Sequence, residues 1–402
     1  MNVVGIIAEY NPFHQGHALH LREARALTGA DYVVVVMSGN YVQRGTPAMF
    51  DKYTRAEAAL RCGVDLVLEL PIPSASASAE YFALGAVTLL TKTGLVTDLC
   101  FGSECGSLSD LQRIAELLAG EPEEYRTLLR SFLSEGNSFP KARSLALAGL
   151  DSSIHTELLK SPNNLLGIEY LKALISLRSP VRPHTIARLG EDYHEQTLKS
   201  ERVASAGALR AALTVSNGHF TDAIRSQLPC PEPFLSYEGK TPLTEDAFSL
   251  LLLQKLRSLQ DTPLNCYFDV SAELSNRIWE KLDSFSSFSQ FTDLLKTKNL
   301  TRSSISRALL HILLNIRNWS EPEVFRVLGF RKEAENLIGL LKRNGALPLI
   351  LAPSDTEPGA DALYADHLYE SVRSLLHEKP FQNEYRRRLL VISSSVKKEG
   401  LL

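Results

Sequence analysis

Neither a membrane-spanning stretch nor a metal-binding cysteine pattern occurs in this sequence. The five cysteines are odd in number and include no CxxC pair, which argues against a disulfide framework and against a typical zinc site. The opening residues, MNVVGIIAEYNPF, carry no basic leader ahead of their apolar run, so no secretory signal is expected. No apolar run approaches the length of a membrane span. We therefore expect a soluble, cytoplasmic protein without membrane contact and without a bound structural metal.

Charge is nearly balanced along the chain. The 43 Lys and Arg residues face 46 Asp and Glu residues, for a formal net charge of −3. This balance excludes a general polyanion-binding surface, so any contact with nucleic acid must rest on local basic patches. With 402 residues and 44% hydrophobic content, the chain is long and apolar enough for two or three domains with a substantial core.

Short apolar runs rich in β-branched residues predict a set of buried strands. They lie at residues 3–8, 32–37, 65–70, 95–101 and 180–188. The segments between them show the helical spacing of Leu and Ala. Strands that alternate with helices predict an α/β fold with a Rossmann-like parallel sheet.

The character of the sequence changes after about residue 213, where long Leu-rich segments with polar punctuation begin. We therefore expect a sheet-containing domain over residues 1–215 and a mainly α-helical domain over residues 216–402. Residues 74–78, SASAS, follow a predicted strand and are expected to be flexible. Parallel sheets place their ligands at such strand ends.

The most informative motif is EYNPFHQGH at residues 9–17, directly after the first predicted strand and before a predicted helix. His14 and His17 then stand at the amino end of that helix, where free N–H groups and the helix dipole favour a phosphate. Imidazoles there can donate hydrogen bonds to phosphate oxygens as negative charge develops. Two alternatives remain open: the histidines cap the helix only, or they bind a metal, although no third ligand is evident.

Polar and glycine residues follow the other predicted strands, at the same edge of the sheet. Gln43 and Arg44 lie in the loop after the second strand, and Lys52 offers a mobile point charge to a phosphate. Gly102 and Arg188 stand at the ends of the fourth and fifth strands. Each residue also has a structural alternative, as a loop, turn or solvated surface residue.

Asn163 and Asn164 follow Pro162 at another predicted helix start. One of the two asparagines is expected to cap the helix, which leaves the other free to contact a ligand. Asn163 is the better placed for the ligand, and the choice between the two stays open.

With these residues taken together, the sequence resembles the tRNA(Met) cytidine acetate ligase family, within the HxGH nucleotidyltransferase superfamily. The resemblance extends over essentially the whole chain. Six blocks carry it: GIIAEYNPFHQGH from residue 5, MSGNYVQRGTPAMFDKYTRAEAAL from residue 37, GVDLVLELP from residue 63, FGSE from residue 101, SPNNLLGIEYLKAL from residue 161 and VLGF from residue 327.

The resemblance implies an ATP-binding nucleotidyltransferase domain over residues 1–215 and a tRNA-binding helical domain over residues 216–402. It implies catalytic roles for His14, His17 and Lys52. It also implies an ATP site made of these residues: Ile7, Ala8, Glu9, Tyr10, Asn11, Pro12, Phe13, His14, Gln15, Gly16, His17, Ala18, Leu19, His20, Gly102, Asn163, Arg188 and Ser205.

One stretch departs from the superfamily pattern. Relatives carry a second signature, Ser-Ser-Thr-x-x-Arg, whose hydroxyls and N–H groups hold the outer phosphates. The matching residues here are SAGALR, so Ser205 and Arg210 persist while Gly207 replaces the threonine. Backbone N–H groups survive this change.

The densest basic run of the helical half consists of Lys296, Lys298, Arg302 and Arg307. Such a run is commonly a solvated helix entrance. Because the family that the sequence resembles acts on tRNA, we expect these four residues to form a phosphate-backbone footprint.

The implied activity is that of a ligase that forms a carbon–nitrogen bond. ATP, expected to carry Mg²⁺, and acetate would give acetyl-adenylate and pyrophosphate; the acetyl group would then pass to the wobble cytidine of elongator tRNA(Met), without acetyl-coenzyme A. Two other classes stay open, a small-molecule adenylyltransferase and a non-catalytic nucleotide- or RNA-binding protein. For an enzyme, replacing His14 or His17 by Ala is expected to abolish adenylate formation with little change in stability.

Overall fold

The computed structural model describes residues 1–188, 204–260, 262–355 and 360–393. Within these ranges, no helix is both long enough and apolar enough to cross a membrane. The described strands are β1 (Val3–Ala8), β2 (Tyr32–Ser38), β3 (Tyr41–Val42), β4 (Thr46–Pro47), β5 (Leu66–Leu70), β6 (Asp98–Ser103), β7 (Arg182–Ala187), β8 (Phe325–Arg331), β9 (Leu349–Ile350) and β10 (Leu390–Ile392).

The α-helices of the described ranges occupy most of the remaining chain. They are α1 (Gln15–Thr28), α2 (Lys52–Arg61), α3 (Ile72–Ala75), α4 (Ala79–Lys92), α5 (Leu108–Gly120), α6 (Glu123–Ser134), α7 (Phe139–Leu150), α8 (Pro162–Ser176), α9 (Ala206–Val215), α10 (Asp222–Gln227), α11 (Ser249–Ser258), α12 (Ala272–Lys281), α13 (Phe288–Leu295), α14 (Arg302–Leu314), α15 (Glu335–Asn344) and α16 (Ala360–Leu376). A short 3-10 helix, Glu232–Tyr237, packs beside α2.

The main sheet confirms the predicted parallel α/β fold. Its strand order is β10-β8-β5-β2-β1-β6-β7, and β9 pairs with β8. Strands β5, β2, β1, β6 and β7 are mutually parallel, with Val3 opposite Tyr32 in the β1–β2 pair. The chain builds outward from β1 through β2 to β5, then returns to place β6 on the other side of β1. The topological switch point therefore lies between β1 and β6, where such sheets bind ligands.

Helices cover both faces of this sheet, which explains why its strands are apolar without alternation. Val34 and Val36 of β2 lie in the core on one face, while Val33 and Val35 lie in the core on the other, and all four are fully buried. A strand buried on both faces must be hydrophobic throughout, as the apolar runs of the sequence indicate.

The predicted division into a sheet domain and a helical domain after residue 215 needs correction. Strands β8, β9 and β10 come from the second half of the chain, and β8 pairs antiparallel with β5, with Leu66 opposite Phe330. The second half therefore completes the sheet. Its helices α11 to α14 and α16 share a separate core. The block at residues 327–330, which carries part of the resemblance, lies in β8 of the sheet.

Residues 74–78, expected to be flexible, are packed in the interior. Ser74 and Ser76 are fully buried. The indole Nε1 of Trp319 donates to Ser74 Oγ at 3.0 Å, and His311 Nε2 lies 3.1 Å from the Ser76 carbonyl oxygen. Small hydroxyl side chains are used here because they let the helical core approach the strand ends closely.

A cluster of buried charges fixes the second half of the chain to the first. We call it the buried charge cluster; it consists of Lys52, Glu69, Arg326, Asp366 and Glu384. Lys52 Nζ lies 3.0 Å from Glu69 Oε1, 2.6 Å from Asp366 Oδ2 and 2.9 Å from Glu384 Oε1. Arg326 pairs with the same three carboxylates. The cluster thus joins α2 and β5 to β8, α16 and the residues after α16.

The prediction that Lys52 is catalytic is therefore wrong. Its side chain has no exposed surface, and its ammonium group is surrounded by three carboxylates. Burial and the charge of Arg326 would lower the pKa of Lys52, but Asp366, Glu69 and Glu384 outweigh both and raise that pKa above its ordinary value. A lysine held this way is a structural cation and is not available to a phosphate.

We predict that Lys52→Met lowers the free energy of unfolding by about 3–5 kcal/mol, because it leaves three buried carboxylates with Arg326 as their main counter-charge. Chemical denaturation followed by circular dichroism measures the effect. The control is Lys160→Met, which removes a pair whose lysine is 73% exposed and should change the stability little. Equal stabilities for the two variants would contradict the structural role of the cluster.

Candidate functional site

The residues predicted to bind ATP converge on the switch point of the sheet. Ile7 and Ala8 end β1, residues 9–14 form a loop, and residues 15–20 form the first turns of α1. Gly102 lies in β6, the other strand of the switch point, and Arg188 directly follows β7. The site is therefore built where the chemistry of α/β sheets is usually found.

The loop between β1 and α1 is held mainly by its own buried side chains. Tyr10, Asn11 and Phe13 are at most 3% exposed. Asn11 Oδ1 accepts a hydrogen bond from the Met49 N–H at 2.9 Å, and Arg210 Nη1 donates to the Asn11 carbonyl oxygen at 2.7 Å. These buried side chains therefore fix the shape of the loop from the protein interior.

A buried arginine fixes the strand ends on which the loop stands. Arg55, on α2, has no exposed surface. Its guanidinium donates to the carbonyl oxygens of Glu9 at 2.6 Å, Ser38 at 3.1 Å and Phe50 at 2.9 Å, and also to that of Gly39. The carboxylate of Glu9 in turn accepts from the Gln43 N–H at 2.9 Å. Arg55 therefore ties the carboxyl end of β1 to that of β2.

His14 is the amino-terminal cap of α1, so the capping role that the sequence left open is present. Its Nδ1 accepts from the Gly16 N–H at 3.0 Å, and the His17 Nδ1 accepts from the His14 N–H at 3.3 Å. The two rings lie with their centroids 3.9 Å apart. Because each Nδ1 is an acceptor, a neutral imidazole must carry its proton on Nε2. Capping thus leaves both histidines with an Nε2–H donor for a ligand.

The electrostatic surroundings keep these imidazoles neutral. Burial, followed by the positive charges of Arg188 and Arg210, lowers the pKa of His14 to about 3. Burial and the neighbouring groups His14, Arg188 and His20 lower the pKa of His17 well below its ordinary value. For His20, burial and Arg188 lower the pKa to about 4. The positive charge beside the histidines is therefore carried by the guanidinium groups of Arg188 and Arg210.

Arg188 and Gly102 form the opposite wall of the site. The Arg188 N–H donates to the Ser103 carbonyl oxygen at 2.9 Å, which continues the β6–β7 pairing by one residue. A Cβ atom at Gly102 would meet the Arg188 side chain at 3.2 Å. Glycine therefore lets the arginine lie close against β6, and the effect of Arg188 on the pKa of His14 places its charge near the histidines.

The structure separates the roles of the two asparagines at the start of α8. Asn164 is 2% exposed, and its Oδ1 accepts from the N–H groups of Glu104 and Cys105 at 2.9 and 3.1 Å. The Glu104 carboxylate accepts from the backbone N–H groups of Asn163 and Asn164 and from Asn163 Nδ2. Asn164 is thus a structural residue that fixes the end of β6. The half-buried Asn163 lies at the surface of this assembly, as the prediction of an ATP contact requires.

The second phosphate motif forms an ordinary helix start despite its missing threonine. Ser205 caps α9, and its Oγ accepts from the Ala208 N–H at 3.1 Å. Gly207 lies in the first turn, is exposed and has no positive φ; a Cβ atom there would meet only Ser205 Oγ, at 3.7 Å. The departure from the superfamily pattern therefore leaves the helix amino terminus intact.

The predicted tRNA footprint is only partly an exposed basic surface. Lys296, Lys298 and Arg302 are exposed, although Arg302 pairs with Asp293 at 2.5 Å and also with Glu245. Lys298 Nζ donates to the Gly136 carbonyl oxygen at 3.2 Å, which brings the α6–α7 turn beside this run. Arg307 differs: its side chain is 11% exposed and pairs with Asp269 at 2.9 Å. Arg307 therefore has less free surface to offer a phosphate backbone than the other three cations.

Two arginines, Arg55 and Arg210, hold the loop of the site, a role that the sequence does not predict for them. Arg210 is predicted only as part of the phosphate motif, and Arg55 lies in the block from residue 37 that carries the resemblance. Their positions in motif blocks were a usable signal. The sequence does not reveal their contacts with distant carbonyl oxygens, because those contacts depend on the packing of α2 and α9 against the β1–α1 loop.

The capping role of His14 changes the expected effect of its substitution. We predict that His14→Ala loses ATP binding and also about 1 kcal/mol of stability, since Ala cannot cap a helix. His14→Asn restores a good cap without the Nε2–H donor, so it should keep the wild-type stability and still lose ATP affinity. Denaturation curves and titration calorimetry with ATP separate the two effects; wild-type ATP affinity in His14→Asn would contradict a ligand role.

We predict that Gly207→Thr leaves the fold intact and keeps or improves ATP affinity, because its backbone is ordinary helix and its surroundings are open. Gly207→Ala should stabilise the protein by about 0.5–1 kcal/mol. The matched control is Gly167→Ala on α8, where the new Cβ would lie 2.5 Å from the Phe101 ring and should destabilise the protein. Loss of stability in Gly207→Thr would show that this helix start is built differently.

Comparison with known proteins shows the family of the chain. The model of the HIGH Nucleotidyl Transferase family matches residues 1–388. A protein of Halothermothrix orenii named tRNA(Met) cytidine acetate ligase is 38% identical over 97% of this chain and 99% of its own length. The protein of the same name from Thermoanaerobacter sp. (strain X514) is 40% identical over 87% of this chain and 88% of its own length.

Solved structures agree with this assignment. The crystal structure of apo Thermotoga maritima TmcAL superposes with a TM-score of 0.90 at 31% identity, and covers 98% of this chain and 100% of that one. The same protein bound with alpha-thio ATP superposes with a TM-score of 0.86 over the same shares of the two chains. The fold and nearly the full length of these relatives are thus shared, and this chain belongs to the tRNA(Met) cytidine acetate ligase family of HIGH nucleotidyl transferases.

Proposed function

We propose that this protein is an ATP-dependent ligase that activates acetate as acetyl-adenylate and transfers the acetyl group to the wobble cytidine of elongator tRNA(Met). The observation that carries the proposal is the pair of Nε2–H donors of His14 and His17 at the amino terminus of α1, with Arg188 and Arg210 beside them. Family membership and the ATP-analogue complex of a relative support ATP as the substrate.

In the first step, a carboxylate oxygen of acetate attacks the α-phosphorus of ATP, and pyrophosphate leaves from the opposite side. Negative charge moves onto the bridging and outer phosphate oxygens during this step. His14 and His17 donate hydrogen bonds to those oxygens, and Arg188 supplies a full positive charge. The backbone N–H groups at the start of α9, after Ser205, are suited to the outer phosphates. No protein nucleophile is required, because catalysis consists of positioning and charge stabilisation.

In the second step, the exocyclic amine of cytidine attacks the acetyl carbonyl, the new C–N bond forms, and AMP leaves. An anticodon-loop base is single-stranded and can be extruded from its neighbours into a pocket. Holding two reactants together supplies much of the rate enhancement, so a strong general base is not needed. Acetyl-coenzyme A has no part in this scheme, since ATP provides the energy for activation.

Mg²⁺ is proposed to enter with ATP, held mainly by phosphate oxygens and water. In the ranges that the structure describes, no group of three or more His, Cys, Asp or Glu side chains is arranged to hold a metal ion. We place the reaction in the cytoplasm, where tRNA and ATP are available together.

The proposal is tested by incubating the purified protein with elongator tRNA(Met), ATP and carbon-13 acetate, followed by mass spectrometry of the digested nucleosides. Labelled N4-acetylcytidine is expected only when ATP is present. Labelling that requires acetyl-coenzyme A would overturn the acetate route. AMP transfer to a small molecule in place of tRNA would favour an adenylyltransferase.

We propose that Lys296, Lys298 and Arg302 contact the tRNA backbone, and predict that changing the three to Ala weakens tRNA binding and flattens its salt dependence by roughly 0.7–0.9 per lost contact. Acetate-dependent exchange of pyrophosphate into ATP should persist, since these residues lie outside the ATP site. A matched control changes three exposed cations elsewhere, Lys332, Lys342 and Arg343. An unchanged tRNA affinity and salt slope in the first variant would show that this run is a solvated helix entrance that does not contact tRNA.

A further inference from the structure

A cleft lined by arginines adjoins the buried charge cluster, with which it shares Arg326. We call it the arginine cleft; it lies between β8, β9 and the residues that lead into β10, and its lining includes Tyr53, Arg326, Ile350, Pro353, Arg387 and Arg388. Arg387 and Arg388 belong to a run of three consecutive arginines that begins in the 3-10 helix Glu384–Arg386. The proposed reaction uses none of these residues.

The arginine run carries more positive charge than its surroundings neutralise. Arg326 is paired with three carboxylates of the buried charge cluster. Within the described part of the chain, by contrast, no carboxylate forms an ion pair with Arg386, Arg387 or Arg388. The cluster contains three carboxylates and two cations, so one further cation balances it, whereas the run supplies three. Arg386 and Arg388 are also exposed to solvent, and the excess charge is therefore available to an anion.

The guanidinium of Arg387 is held in place while part of its hydrogen-bonding capacity stays unused. Its central carbon lies over the Tyr53 ring, 5.0 Å from the ring centroid, in a cation–π contact. The Tyr53 hydroxyl donates to Glu384 Oε1 at 2.6 Å, and the Arg387 N–H donates to the Glu384 carbonyl oxygen at 3.1 Å. Arg387 Nε, however, is buried and has no hydrogen-bond partner among the residues that the structure describes. A buried donor of this kind is expected to meet a water molecule or an anion.

We propose that the arginine cleft binds a phosphate group of the tRNA backbone. The proposal rests on the proposed function for the source of the phosphate, and it adds a contact surface separate from Lys296, Lys298 and Arg302. Arginine presents a planar fork of N–H donors that matches phosphate oxygens in pairs. The ring of Tyr53 restricts the orientation of that fork, so little conformational entropy is lost when a phosphate binds.

The arginine cleft lies at the same edge of the sheet as the proposed ATP site. Tyr53 is in the first turn of α2, where the Lys52 N–H donates to Asn40, just beyond the end of β2. Arg326 Nε lies 3.1 Å from Glu69 Oε2, near the end of β5. In the strand order, β8 is the third strand from β1, a separation of about 14 Å at the usual strand spacing. A few nucleotides of extended RNA span this distance, so a base at the adenylate leaves its own backbone within reach of the cleft.

The test compares the full-length wild type with Arg387→Ala/Arg388→Ala, using fluorescence anisotropy of labelled elongator tRNA(Met) at several salt concentrations. We expect roughly tenfold weaker tRNA binding and a salt slope flattened by roughly 0.7–0.9 for each lost contact. Arg388→Ala alone keeps the contact of Arg387 with Tyr53 and should show about half of the slope change. Acetate-dependent exchange of pyrophosphate into ATP should persist in both variants, because the cleft is separate from the histidines.

The control Arg178→Ala/Arg343→Ala removes two exposed arginines elsewhere and should bind tRNA as the wild type does. An equal loss of affinity in this control would reduce the effect to general charge and refute a specific site. Unchanged tRNA affinity and salt slope in both cleft variants would refute the tRNA contact as well.

Inorganic phosphate, titrated by calorimetry, separates the tRNA backbone from a free anion as the ligand. Phosphate binding that the cleft variants lose while they keep wild-type tRNA affinity would identify a free-anion site and overturn the proposal. The outcome is also distinguishable from failure of the proposed function. If the wild type acetylates no tRNA, the proposed function fails, whereas weaker tRNA binding by the cleft variants would still support the contact.

Discussion

The proposed ATP site depends on one buried cation, the guanidinium of Arg55. Carbonyl oxygens at the carboxyl ends of parallel strands point towards the ligand edge of the sheet and cannot all be satisfied by neighbouring strands. Arg55 gathers those of Glu9, Ser38 and Gly39 and adds that of Phe50. An arginine suits this task, since its planar fork donates in several directions and stays charged when buried. With the strand ends fixed, the loop from Glu9 to His14 can begin α1 at a defined position.

The same helix, α2, carries the second constraint one turn earlier. Lys52 pairs with the carboxylates that hold β8 and α16 in place. Helix α2 therefore both supports the ligand edge of the sheet and fixes the second half of the chain to the first. This arrangement explains why a boundary after residue 215 is not a structural boundary. It also provides a rigid frame for the helical core, and a rigid frame is what a long RNA substrate needs if a single base is to reach an adenylate.

The histidine motif shows how one local structure serves folding and chemistry together. In capping α1, His14 uses its Nδ1, and His17 uses its own Nδ1 to close the same turn. Both rings are thereby fixed in orientation and tautomer before a ligand arrives. Preorganised donors of this kind need no rearrangement when charge develops on the phosphates.

Local sequence patterns were sufficient for the parallel sheet, the position of the motif after β1 and the family, because β-branched runs and the EYNPFHQGH block are local signals. They were not sufficient where long-range pairing decides the role of a residue. From the sequence, Lys52 is predicted to contact a phosphate, but in the structure it is paired with Asp366 and Glu384. Arg307 is predicted to belong to the tRNA footprint, but in the structure it is paired with Asp269. Residues 74–78 look flexible, but the second half of the chain buries them. In each case the partner comes from a separate segment of the chain, so the local sequence pattern does not reveal it.

The central claim is that a carboxylate oxygen of acetate attacks the α-phosphorus of ATP. Acetate labelled with oxygen-18 at both carboxylate oxygens tests it most directly, when the AMP released during tRNA acetylation is analysed by mass spectrometry. The acetyl-adenylate route requires one labelled oxygen in each AMP and the other in the acetyl group on the cytidine. Unlabelled AMP, or label found in inorganic phosphate, would contradict the account.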